Sequence, residues 1–112
     1  MERRTIEVPG CEKTTVEDLL SEPGTQVMRV RVHPGGRIPL HSHECAATMV
    51  ITEGRAYALG AGKSRYVDRG EVLVKGPGES HGFEDVREPF SFISISYDKG
   101  IMRPDGFDIR YI

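Results

Sequence analysis

Two histidines one residue apart, His41 and His43 in "LHSHECAATM", and a third, His81 in "GPGESHGF", are the residues whose type and spacing suit metal chemistry. Side chains alternate along a strand, so positions 41 and 43 share a face with Cα atoms about 6.5–7 Å apart, and both imidazoles can converge on one ion. His81 follows a Gly-Pro-Gly turn at the start of another short run. In an antiparallel barrel two such strand starts can face each other, which supplies three neutral nitrogen donors for a divalent metal. An exposed pair on a polar strand face is the competing reading, and the His-x-His pair alone leaves the two about even. His33, beside Pro34, reads as a solvated histidine at a strand end.

The elements that must position these residues are strands. Thirteen glycines and seven prolines punctuate short runs rich in Val, Ile, Thr, Phe and Tyr, which predicts an all-β antiparallel barrel or jelly roll. "TQVMRVRVHPGG" alternates Met28, Val30 and Val32 with Arg29, Arg31 and His33, then stops at Pro34, Gly35 and Gly36. "TMVITEGRAYALGAGKSRYVDRGEVLVKGPG" reads as successive hairpins with turns at Glu53 and Gly54, around "GAGK" and at "DRG". "PFSFISISYD" and "FDIRYI" are two further alternating runs. A short helical turn is expected only in "TTVEDLLSEPG", with Thr14 or Thr15 as cap and Pro23 and Gly24 as stop. The expected organisation is a single domain over residues 1–112: an N-terminal arm (1–26), a barrel core (27–97) and a C-terminal strand segment (98–112).

Composition excludes several classes of function. Fifteen basic and 17 acidic residues, interspersed along the chain, give a net charge of -2, which disfavours nucleic acid or an anionic membrane as partner. No long apolar run is present, "MERRTIEVPG" lacks the core of a signal peptide, and a cytoplasmic location is expected. Cys11 and Cys45 match no disulfide or zinc-finger spacing; Cys11 reads as an incidental thiol. "GESHG" has the form of a nucleophile elbow around Ser80, but no helix is expected after it and no histidine follows His81.

The pattern around the histidines resembles the cupin superfamily, specifically its small single-domain members. The first cupin motif runs glycine, five residues, His-x-His, three or four residues, glutamate, six residues, glycine; here it reads Gly35, "GRIPL", His41, Ser42, His43, "ECA", Ala47, "TMVITE", Gly54. The second runs glycine, five residues, Pro-x-Gly, two residues, histidine, three residues and often asparagine; here it reads Gly70, "EVLVK", Gly76, Pro77, Gly78, "ES", His81, "GFE", Asp85. Together they span residues 35–85. The resemblance implies a jelly-roll barrel holding one divalent ion (Fe, Mn, Ni, Co, Cu or Zn) on His41, His43 and His81. It departs at Gly76, where the family has proline, and at Ala47 or Thr48, where the family has its metal-binding glutamate.

Strand parity puts Cys45 on the face of His43 as a candidate extra ligand, and turns Glu44 away. Met49 and Phe83 share ligand parity on their own strands and, with Ala47, are expected in the pocket wall. The function expected is that of a metal-binding protein, either a small dioxygenase-like oxidoreductase acting on a small anionic molecule or a non-catalytic binding or sensing module. A homodimer is expected over a monomer, with "RRTIEV" as an edge strand available to a partner subunit.

Overall fold

The computed structural model describes residues 5–60 and 63–112. The described residues form twelve strands and no helix: β1 Thr5–Glu7, β2 Glu12–Glu22, β3 Gly24–Ser42, β4 Ala47–Glu53, β5 Arg55–Gly60, β6 Arg65–Asp68, β7 Val72–Lys75, β8 His81–Glu84, β9 Phe90–Asp98, β10 Met102–Arg103, β11 Gly106–Phe107 and β12 Arg110–Tyr111. Ten of them form one curled antiparallel sheet whose main path runs β6-β5-β8-β3-β9-β4-β7. The fold is an all-β antiparallel jelly roll. The turn expected around "GAGK" includes positions 61 and 62, which lie outside the described residues, as do the first two residues of "RRTIEV".

Strand β3 organises the barrel. Its first half pairs with β2 and β9, and its second half with β8 and β12. The sequence "HPGG" therefore does not end the strand, as its composition suggests, but lets one strand pass from one side of the barrel to the other. Gly35 adopts φ +83° and its N–H donates to the Val86 carbonyl at 2.8 Å. At Gly36 a Cβ would lie 2.6 Å from the Glu12 carbonyl oxygen, so only glycine lets the two backbones approach this closely.

The segment read as a helical turn is strand β2. Three consecutive β-branched residues, Thr14, Thr15 and Val16, favour extended backbone. Their alternation buries Thr14 and Val16 against the core, while Glu17 pairs with Arg29 across the strands at 2.8 Å. The N-terminal edge is also used within the chain, because β1 pairs with β2.

Alternation on β9 sends Phe90, Phe92, Ser94 and Ser96 inward. Phe83 of β8 packs on Phe90 and Phe92 with ring centroids 5.1 Å from each, a tilted aromatic cluster that anchors the floor of the barrel. Val16, Met28, Val30, Val32, Met49 and Ile51 complete the buried core. "FDIRYI" is broken at Asp108 rather than forming one strand: β11 ends at Phe107 and β12 begins at Arg110.

Candidate metal centre

The histidine cluster is assembled from three places. His41 lies near the end of β3, His43 one residue past that end, and His81 opens β8. Antiparallel pairing of β3 and β8 sets His41 directly opposite His81. One extra residue in β3 between Ile38 and His41 shifts the register, and this bulge turns both Ile38 and His41 inward although they are three apart. Gly82 is the residue that permits it, since a Cβ there would stand 2.6 Å from the Ile38 carbonyl oxygen.

All three imidazoles are buried, with ring centroids 4.4 to 5.1 Å apart. Each ring has its Nδ1 on a backbone carbonyl: His41 on Pro39 at 2.7 Å, His81 on Glu79 at 3.0 Å, and His43 on Asp108. A carbonyl only accepts, so each Nδ1 carries the proton and donates, which leaves each Nε2 with a free lone pair. One donor nitrogen from each ring lies within 4.8 Å of the others.

Burial holds all three rings in the neutral form. Desolvation lowers His41 to about 4 and His81 to about 3, the latter helped by the neighbouring His41. His43 is lowered for the same reason, against the opposing effect of its bond to Asp108. Three neutral imidazoles, tautomers set by outer carbonyls and lone pairs converging, are the donor set a divalent metal requires. The site fits such an ion.

The other candidate residues divide. Ala47, Met49 and Phe83 line the same cavity as the histidines. Cys45 does not. It is buried, as parity suggests, but the chain leaves β3 at Ser42 and bends before β4 begins at Ala47. The inward side of residue 45 therefore faces a separate depression beside Gly24, Asp98 and Arg103. Desolvation raises its thiol above the usual range, and among the described residues it joins no cluster of metal-ligating atoms. Glu44 turns away and pairs with Arg110 at 2.7 Å, and Glu79 accepts from the Gly76 N–H at 3.0 Å. His33 is exposed.

Several residues of the site were missed by sequence reasoning. Cys11, read as incidental, lines the cavity, and its Sγ lies 3.4 Å from the Tyr111 hydroxyl. Ile101, Phe107 and Ile109 close the wall from the C-terminal segment. The alternation of Phe107, Ile109 and Tyr111 was a usable signal for this; the Asp108 carbonyl, a backbone atom, has none.

No family model matches the sequence, and no curated protein matches it significantly. Solved structures do match. The polyketide cyclase RemF from Streptomyces resistomycificus superposes with a TM-score of 0.79 at 23% identity, covering 99% of this chain and 80% of that one. A cupin-2 domain from Rhodospirillum rubrum gives 0.80 at 17% identity, covering 98% and 75%. A cupin-like protein from Thermotoga maritima gives 0.72 at 25% identity, covering 86% and 78%.

Proposed function

Taking as premise that this chain is a small cupin-fold domain, we propose that it binds one divalent metal ion on His41, His43 and His81 and uses it to act on a small anionic molecule, as an oxidoreductase of the dioxygenase type. The observation that carries this is the convergence of three buried neutral imidazoles whose Nδ1 atoms are all tied to carbonyls. An ion held there would supply Lewis acidity toward an anionic ligand and, if redox-active, the electrons of an oxygenase reaction.

The chain's own part is to orient and to exclude water. The Pro39, Asp108 and Glu79 carbonyls fix the ring orientations, and the wall around Met49, Phe83 and Phe92 keeps the ligand's surroundings apolar. With Ala47 where the family has glutamate, the donors are all neutral, so the ion keeps its full charge for an anionic ligand.

Metal analysis of the purified protein beside His81→Ala tests the site. About one equivalent in the wild type, lost in the variant, is the expected result; a wild type that holds none and cannot be loaded overturns it. Oxygen uptake by the Fe(II)-loaded protein with a ligand then tests the chemistry.

One observation favours a second reading, a binding or sensing module. Among the described residues, none that lines the cavity carries a carboxylate or an amine to act as general acid or base. Ligand-induced stabilisation without oxygen uptake would select it.

We propose also that the chain forms a homodimer. The outer face of the sheet exposes Val72, Val74, Tyr97 and Leu20, with Val74 70% exposed. A second copy covering this face would give twice the 12.5 kDa chain mass in light scattering at micromolar concentration, whereas the single-chain mass would exclude it. A cytoplasmic location is proposed with it; no helix among the described residues is long and apolar enough to cross a membrane.

A further inference from the structure

We propose that the ligand of this centre is a short monoanion with an apolar body: one carboxylate or enolate end, and no second hydrogen-bonding group. This deepens the metal-binding reading and rests on it. The cavity beside the ring nitrogens has a volume of about 60 Å³, far below that of a site for a drug-sized molecule, so the ligand is short. Its walls are Val30, Ile38, Met49, Phe83, Phe92 and Ile109. Apart from the histidines, the polar side chains among the described residues that reach it are Cys11, Thr14 and Ser94.

These three groups offer a ligand little. The Thr14 hydroxyl already donates to the Glu12 carbonyl at 2.8 Å. Burial raises the Cys11 thiol above its usual range, so at neutral pH it is an uncharged, weak hydrogen-bonding partner. Among the described residues no arginine or lysine lines the cavity, so a second carboxylate on the ligand would be buried without a counter-charge, and a hydroxyl would lose its water with at most Ser94 in exchange. Both carry a desolvation cost that an apolar body avoids. The first carboxylate is different, because a divalent ion on three neutral donors lacks the compensating negative charge that no residue in the wall provides.

The test is a titration of the Co(II)-loaded protein with pentanoate, with its isostere 4-hydroxybutanoate, and with succinate, read by the visible absorption of the cobalt and by the melting temperature. Pentanoate should perturb the band and raise the melting temperature; the other two should bind at least about tenfold more weakly, the expected consequence of one buried polar group left unpaired. Equal or tighter binding of 4-hydroxybutanoate or succinate overturns the inference while leaving the metal site standing, and so does a cobalt band that pentanoate does not perturb. A protein that develops no cobalt band at all overturns the metal site, and the inference with it.

Discussion

The Nδ1–H of His43 donates to the backbone carbonyl of Asp108, 65 positions later in the chain. His43 lies beyond the end of β3, outside any strand pairing; its backbone carbonyl accepts from the Gly78 N–H at 2.8 Å, and the C-terminal segment holds its ring. The Asp108 carboxylate fixes that segment in turn, accepting from the Glu44 backbone N–H at 2.8 Å and from Arg103 at 3.2 Å.

Replacing Asp108 with alanine removes both side-chain bonds and leaves the Glu44 N–H without its acceptor. The expected loss of stability is about 1–3 kcal/mol, read by urea denaturation, and the expected loss of metal affinity is about 10–100-fold, read by competition with a chelator. Asp108→Asn keeps an acceptor for Glu44 and should recover most of the affinity. Unchanged affinity in both variants would mean that His43 is oriented without this segment.

Gly82→Ala should destabilise the fold by about 2 kcal/mol or more, since the added methyl meets the Ile38 carbonyl oxygen at 2.6 Å and the backbone there cannot yield easily. Gly24→Ala is the control: its φ is +85° but the space around it is open, so its cost is the left-handed backbone alone, about 1 kcal/mol. If Gly82 permits the bulge that turns His41 inward, Gly82→Ala should also weaken metal binding and Gly24→Ala leave it unchanged. Equal effects of the two variants on chelator competition would refute this role of Gly82.

Ala47→Glu returns a carboxylate to the position where the cupin motif has one. Without metal, a carboxylate in this buried, apolar site should lower the melting temperature, because its charge is desolvated and unpaired. Added Ni(II) or Zn(II) should then raise the melting temperature more than it does in the wild type. A variant whose metal response equals that of the wild type would show that residue 47 does not face the ion.

Tyr111 should impose a pH dependence at the alkaline end. Burial first, and the Cys11 contact second, push its phenol well above the usual range. The unfolded chain releases that proton near pH 10, the folded chain later, so above about pH 10 the unfolded state binds fewer protons and stability falls as pH rises. The contribution is fully present below pH 10. Near-ultraviolet titration should show late-ionising phenols, because the Asp85 bond raises Tyr66 as well, and one late step should be missing in Tyr111→Phe; an unchanged late phase in that variant would refute the assignment.

Local periodicity determined a good deal in this chain. Alternation in "TQVMRVRV" and "SFISIS" identified strands and their inward faces, since the period of two is a property of extended backbone that needs no neighbour. The His-x-His spacing, and the glycines and prolines that end each run, were equally local. Alternation also assigned Met49 and Phe83 to the inward faces that now line the cavity. Where local signals competed, as in "TTVEDLLSEPG", cap and stop residues suggested a turn of helix, and pairing of Thr14 and Val16 with β3 decided for strand.

Only the tertiary structure decided what stands opposite what. His41 meets His81 because β3 passes from one side of the barrel to the other and bulges after Ile38, and neither event is periodic. Cys45 kept its burial but lost its place beside the histidines, because parity predicts a side of the chain and not the direction that side faces after a bend. The hold of Asp108 on His43 runs through a backbone carbonyl, which every residue possesses, and so it could be seen only once the fold had brought the two together.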